Sequence, residues 1–367
     1  MRITFVGGSK IPAQGGIENY VMNLAKYVAA KGHSPWIVCR GDISKESIIN
    51  GIKVTQLKCK ENQFSIMILN IRASWMIFRK GKCTDLVNYQ SIYLPFFYEW
   101  IPKLRGIKVC HTQHSFAQDN PKHGKVSKII ISSIYRVSRL VISPITTVSK
   151  YNQELIKRRL LKKSTVINCG VEMPTDKPDT DILERFGIVM GKYYLSIGRI
   201  DQVKNLDILI SSFMRHPKHV DVQLVICGNF QNVYGEKLKE LSKDDKRVIF
   251  TGPVYGDDKE TLLNNCMAYC LVSTSEGFPI ALLEAMAHAN PCICSNIAAN
   301  RETLPKDIGL WCEERDVDSL YDKMLELESS LETYQTYGIK AQEFVRDNLT
   351  WEKIADKYID YAMNLIK

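Results

Sequence analysis

Hydrophobic positions along the chain alternate between two periods. Residues 3–6 form a short apolar run closed by Gly7-Gly8, which reads as a buried strand. From Ile17 the apolar positions fall at Ile17, Tyr20, Val21, Leu24 and Val28, a helical stripe that Gly32 stops. Residues 36–39, 86–88 and 108–113 read as further strands of the first half. In the second half, 193–197, 222–227, 248–251, 267–274 and 292–295 read as strands separated by helical stretches. Residues 280–289 are rich in strong helix formers and are stopped by Asn290-Pro291. Trp351 opens an amphipathic run that predicts a terminal helix.

Strand and helix alternating in this way predict an α/β chain with two Rossmann-like sheets, joined near residues 168–174. A length of 367 residues also favours two domains over one core. The expected division is 1–167 with the terminal helix 352–367, and 168–351. No run reaches the roughly 18 apolar residues that a membrane span needs. The first residues read as strand and turn, not as a secretory leader, so a cytoplasmic protein is expected. The eleven cysteines include no Cys-x-x-Cys pair and several fall in predicted strands, which favours reduced, buried thiols over disulfides or zinc.

Charge adds a second partner class. Residues 101–165 carry fourteen Lys and Arg against only Asp119 and Glu154, a net +12 in a chain whose total is +9. Within that segment, residues 125–142 interleave bases with an apolar face, as an interfacial helix does, and an anionic membrane surface is the favoured partner. The alternative is a partly buried helix with solvated bases. Nucleic acid is not expected, because no nucleic-acid module accompanies the bases.

The densest chemistry lies at Glu276-Gly-Phe-Pro-Ile-Ala-Leu-Leu-Glu284, two carboxylates flanking a turn that opens a helix. The free amides at that helix start suit a phosphate. Glu284, one turn in, suits a ribose diol, and Glu276, at the strand end, suits the hydroxyls of a sugar. Both also read as ordinary acids of a helix start and a helix face. Arg199 and Lys204 fall in a loop after a predicted strand, where a fork and a point charge can neutralise two phosphates; Asp201 between them can pair with either. Gly15-Gly16, just before the first helix, let a ligand approach the backbone.

Together, Gly15-Gly16-Ile-Glu, Asn168-x-Gly-Val, Gly198-Arg199 with Lys204-Asn205, Gly252 in Phe-Thr-Gly-Pro-Val, and the double-glutamate element resemble the retaining glycosyltransferases of the GT-B fold, family 4. The likeness spans nearly the whole chain. Ile11-Pro-Ala-x-Gly-Gly-Ile-Glu and Thr112-Gln-His-Ser look most like members that build bacterial surface polysaccharides: O-antigen, capsule or exopolysaccharide.

That resemblance implies roles by position. Arg199 and Lys204 look like the pair that stabilises the departing nucleoside diphosphate, Glu284 like the ribose ligand and Glu276 like the carboxylate near the donor sugar. The amides of Gly277, Phe278, Ile280 and Ala281, with Pro279 among them, would surround sugar and phosphate. Gly228 and Val254 fall where family members place loops beside the base, and Gly16, next to Gly15, looks like the first-domain glycine near the diphosphate. His114 corresponds to a histidine near the reacting sugar, though Ser115 follows it where the family usually has Gly. Such an enzyme binds donor in a cleft between its domains, closes over it, and returns its last helix to the first domain. The donor expected is a UDP-sugar, with GDP- and dTDP-sugars as alternatives, and the acceptor a polyprenyl-diphosphate-linked glycan. No cofactor and no metal are expected, since no Asp-x-Asp lies beside a donor loop. The competing readings are another GT-B enzyme such as a sugar-nucleotide epimerase, and a non-catalytic nucleotide-binding or membrane-docking module.

Overall fold

The computed structural model describes residues 1–8, 11, 15–59, 64–81, 83–115, 125–174, 180–218 and 220–367, without the side chains of 125–131. The chain divides into two compact units. The first ends at Gly170 and resumes at Trp351–Lys367; the second is Val171–Thr350.

The first unit is built on strands β1 Arg2–Val6, β2 Ser34–Gly41, β3 Lys45–Ile49, β4 Ile52–Lys58, β5 Leu86–Tyr89, β6 Lys108–Gln113, β7 Ile145–Thr147 and β8 Thr165–Val166. They form one sheet in the order β3-β4-β2-β1-β5-β6-β7-β8. All neighbours pair in parallel except β3 and β4. That hairpin turns at Asn50-Gly51, both at positive φ (50° and 74°), the backbone a two-residue hairpin requires. The sequence reading missed β3, β4, β7, β8 and the helix Ser65–Arg79. An Asn-Gly between Ile49 and Ile52 was the available signal for the first two.

The second unit is a six-stranded, wholly parallel sheet of β9 Tyr193–Ile197, β10 Gln223–Cys227, β11 Val248–Gly252, β12 Ala268–Leu271, β13 Cys292–Ser295 and β14 Leu310–Cys312, ordered β11-β10-β9-β12-β13-β14. Its core joins Tyr194, Leu224, Ile226, Cys270 and Ile293 of the sheet to Leu209, Phe213, Leu320 and Met324 of flanking helices. Eight of the eleven cysteines are buried, where they serve as small apolar side chains.

In both units the strand order reverses, between β1 and β5 in the first and between β9 and β12 in the second. Loops leaving the carboxyl ends of strands on either side of such a reversal diverge and leave a crevice, which is where open α/β sheets hold ligands.

The first unit extends slightly past the expected boundary. Trp351 packs edge-on to Tyr20 at 5.7 Å. A Cβ on Gly170 would lie 2.7 Å from the Trp351 ring, so residues 168–170 and the start of the last helix belong with this unit. That helix, Trp351–Ile366, buries Tyr358 against Phe5, and Asn88 donates to the Tyr358 hydroxyl at 2.8 Å. Among the described residues no helix is long and apolar enough to cross a membrane.

A buried acid fixes one edge of this unit. Glu99 accepts from Ser143 Oγ at 2.6 Å, from the amides of Ile142 (3.0 Å) and Ser143 (3.3 Å), and from His111 Nε2 at 3.2 Å. Burial alone would raise its pKa, but these donors prevail and hold it down at about 2. A carboxylate so depressed stabilises the fold above its unfolded pKa, and that stability is lost as pH falls toward the folded value. The wild type is therefore expected to lose up to about 3 kcal/mol through this group as pH drops from 4.5 to about 2. Denaturant titrations at stepped pH should show this loss, with a flatter profile for Glu99→Gln.

Candidate active site

The candidate site of the second unit is assembled at the β9–β12 reversal. After β9 the chain runs through Gly198, Arg199 and a short 3-10 turn, Gln202–Lys204, to Asn205. Asn205 sits at φ 47°, a left-handed conformation that Asn tolerates, and starts the helix Leu206–Phe213. Its side-chain amide donates to Val272 O at 2.8 Å, and Thr274 N donates to Val203 O at 2.8 Å. These two bonds clamp the loop after β9 to the segment after β12.

Across that clamp, Lys204 Nζ lies 2.7 Å from Glu276 Oε1, both side chains mostly buried. The pair was not foreseen. By sequence Asp201 can pair with either Arg199 or Lys204; it lies 3.9 Å from Arg199 Nη1. Arg199 is 69% exposed, and its guanidinium retains donors for an incoming anion. Lys204 spends one of three N–H donors on Glu276, and Glu276 keeps its second oxygen. The arrangement presents two cations and one acceptor within a single loop junction.

The helix after Glu276 is Ile280–Ala287, with Pro279 as its N-cap residue. Its first closing bonds run from Leu282 and Leu283 to Pro279 O, so the amides of Ile280 and Ala281 precede the intrahelical ladder. Phe278 and Pro279 are buried and seat the turn, and Gly277 links it to Glu276.

Glu284 is held more firmly than a solvated helix position. Lys259 Nζ lies 3.0 Å from its Oε1, and the Glu284 carbonyl meets His288 Nδ1 at 2.7 Å. His288 Nε2 in turn lies 2.8 Å from Glu260 Oε2. Burial works to lower the Lys259 pKa, but the carboxylates of Glu284 and Glu260 outweigh it and hold the ammonium above its ordinary value. Glu284 thus carries on Oε1 a charged lysine that the sequence reading missed, and keeps Oε2. Lys259 lies on Gly256–Asn265, among Asp257, Asp258 and Glu260, where nothing in the local pattern marks it out.

Gly228 and Val254 follow β10 and β11 at the same edge. A Cβ on Gly228 would fall 2.2 Å from Gly198 O and 2.6 Å from Ile200 Cδ1. Only glycine lets this loop lie against the Arg199 loop. Gly228 N donates to Gly252 O at 2.9 Å, and Gly252 (φ 80°) turns the chain toward the half-buried Val254.

At the β1–β5 reversal of the first unit stand Gly7, Gln90 and His114. A Cβ on Gly7 would lie 2.7 Å from Gln90 Cβ, and His114 Nε2 lies 2.9 Å from Gln90 Oε1. His114 is half-buried, edge-on to Tyr20 at 4.8 Å, and its carbonyl accepts from Asn152 Nδ2 at 2.9 Å. Burial pushes its pKa down to about 4, so the ring is neutral at pH 7. Gly15 caps the helix Gly16–Ala30 in an extended conformation, and a Cβ there would meet Glu18 Oε2 at 2.6 Å. The space beside Gly15 therefore belongs to the protein's own carboxylate, while Gly16 faces open space. Residues 9, 10 and 12–14 of this loop lie outside the described residues.

Comparison with known proteins follows this division. Residues 14–173 match the family described as "Glycosyltransferase Family 4", and residues 180–344 match "Glycosyl transferases group 1". The chain belongs to the GT-B glycosyltransferases of family 4 type. It is 29% identical over 184 residues to N-acetyl-alpha-D-glucosaminyl L-malate synthase of Bacillus anthracis, an alignment covering 49% of this chain and 47% of that one. Over 346 residues, 89% of this chain and 91% of the relative, it is 22% identical to the N-acetylgalactosamine-N,N'-diacetylbacillosaminyl-diphospho-undecaprenol 4-alpha-N-acetylgalactosaminyltransferase of Campylobacter jejuni subsp. jejuni serotype O:2. Its fold matches Anabaena HepE, solved with UDP and glucose, at a TM-score of 0.79 and 14% identity, covering 99% of this chain and 100% of that one.

In this glycosyltransferase, then, the residues singled out in the second half gather at one sheet edge, and Gly228 sets the spacing of two of its loops. Gly228→Ala is expected to destabilise the protein by about 1–3 kcal/mol through overpacking. Gly16→Ala, with nothing within 4 Å of the added methyl, should leave the thermal midpoint nearly unchanged. Thermal melts of the two variants provide the check.

Proposed function

We propose that this glycosyltransferase moves a hexose-type sugar, with retention, from a nucleoside-diphosphate sugar to a polyprenyl-diphosphate-linked glycan in the cytoplasmic assembly of a bacterial surface polysaccharide. The observation that carries the reading is the Lys204–Glu276 pair across the β9–β12 reversal, with Arg199 exposed in the same loop.

Chemistry explains why that pair matters. Breaking the anomeric C–O bond builds positive charge on the sugar and negative charge on the departing diphosphate. Arg199 and Lys204 oppose the second, and Glu276 opposes the first while accepting a sugar hydroxyl. Amides of Ile280 and Ala281 add the positive end of a helix dipole. Glu284, held by Lys259, takes one ribose hydroxyl on its remaining oxygen. Attack from the face the diphosphate leaves gives retention, and the leaving phosphate accepts the acceptor's proton. In this reading the two cations do the work that a divalent metal does elsewhere. A UDP-sugar is favoured because HepE was solved with UDP and glucose, and the lipid-linked acceptor because the Campylobacter relative acts on a diphospho-undecaprenol.

The test uses the purified full chain with UDP-, GDP- and dTDP-sugars, with and without a polyprenyl-diphosphate-linked glycan. One donor should release nucleoside diphosphate only when acceptor is present, and a chelator should leave turnover unchanged. Arg199→Ala should lower kcat/KM by about 100-fold or more, as loss of one preorganised charge does. Acceptor-independent release, or full turnover by the variant, would contradict the assignment.

A further inference from the structure

The first unit exposes an apolar surface that the proposed chemistry does not use. Phe96, Phe97, Trp100 and Leu104 project from the turn Pro95–Phe97 and the helix Trp100–Lys103 that follows it. Leu140 and Ile142 project from the end of the helix Lys125–Ser138 and the segment after it. The exposure is large: Leu104 is 65% and Ile142 74% accessible. Soluble surfaces seldom group so many large apolar side chains without a partner for them.

Two bonds hold the segments side by side. Ile142 N donates to Glu99 Oε1 at 3.0 Å, and Leu94 N donates to Ser138 Oγ at 3.3 Å. Phe96 and Phe97 pack edge-on at 5.7 Å, and both rings stay about half exposed. The buried carboxylate of Glu99 thus ties the backbone of the two segments together.

Charge selects the partner. Arg105, Lys108, Arg136 and Arg139 lie on the same two stretches, and the only acid among residues 95–108 and 132–142 is Glu99, which is buried, bonded to Ser143 and 3.9 Å from the Lys103 ammonium. Exposed aromatic and aliphatic side chains interspersed along the chain with Lys and Arg match an anionic bilayer surface, where rings enter the headgroup boundary and bases meet lipid phosphates. A self-association surface has no reason to gather one sign of charge, since two copies would oppose like charges.

We infer that the face formed by Phe96, Phe97, Trp100, Leu104, Leu140 and Ile142 docks this protein onto an anionic membrane. This places the contact mainly on the Pro95–Leu104 segment. The sequence had suggested residues 125–142, but the side chains of 125–131 lie outside the described residues, and Tyr135 and Ser138 turn inward.

Co-sedimentation of the full chain with vesicles tests it without any sugar nucleotide, so its outcome is separate from that of the transfer assay. Wild type should bind phosphatidylcholine vesicles carrying one-third phosphatidylglycerol and scarcely bind pure phosphatidylcholine. Phe97→Ser with Trp100→Ser, and separately Arg136→Ser with Arg139→Ser, should each weaken binding at least tenfold while keeping the wild-type melting profile. Lys323→Ser, on the second unit, should bind as wild type does. Absent wild-type binding, or variants that bind equally, would overturn the inference. So would a wild-type dimer on size exclusion that the Phe97/Trp100 variant converts to monomer. If that aromatic variant fails to fold, the arginine variant and brominated-lipid quenching of wild-type tryptophan fluorescence decide the question.

Discussion

The ion pair between Lys204 and Glu276 is the interaction on which the candidate site depends. Each side chain is mostly removed from water, and a charge so placed is tolerated only beside its opposite. The pair spans the one place in the second sheet where the strand order reverses, so the fold supplies both residues and the crevice in front of them. Its clamp is equally local: Asn205 and Thr274 bind the two loops through backbone oxygens, which brings the ammonium and carboxylate within 2.7 Å. In the proposed reaction a diphosphate would meet a lysine already oriented, with donors to spare, and preorganised charge of that kind lowers a barrier.

The same economy runs through the rest of the edge. The Glu284 carboxylate is held by Lys259, and His288 bonds the Glu284 backbone carbonyl one turn along the same helix. Gly228 allows two loops to touch that any side chain would separate. In the first unit Glu18 fills the space that Gly15 leaves, putting the protein's own carboxylate at the start of the helix Gly16–Ala30. That helix terminus therefore suits an approaching anion less well than two adjacent glycines suggest, and Gly16, not Gly15, faces open space.

Much of this was legible in the sequence, and the gaps have physical causes. The strands β1, β9, β10 and β12 are short apolar runs ending in turn residues, and both faces of a parallel sheet demand such runs. The double-glutamate element stood out because both of its acids lie in one continuous segment. Lys259 did not, because its value comes from a partner 25 positions away and its own neighbours are acidic. The choice of Glu276 over Asp201 by Lys204 was hidden for the same reason: pairing between loops depends on strand order, and strand order is a tertiary fact. Strands β3 and β4 were missed although Asn50-Gly51 announced their turn, since β3 is a mostly exposed edge strand and β4, inside it, mixes polar with apolar residues. The Phe96-Phe97-Trp100 surface was passed over because apolar residues in a short run read as core until their exposure is known.

If Lys204 and Glu276 act as one unit, their effects on catalysis are not independent. A double-mutant cycle on kcat/KM with Lys204→Met, Glu276→Gln and the combined variant measures this. Each single substitution should be severe, and the double should be little worse than the poorer single, giving a coupling energy above about 1.5 kcal/mol. Effects that simply multiply would mean that the two residues act apart and that the pair seen at the β9–β12 reversal is incidental.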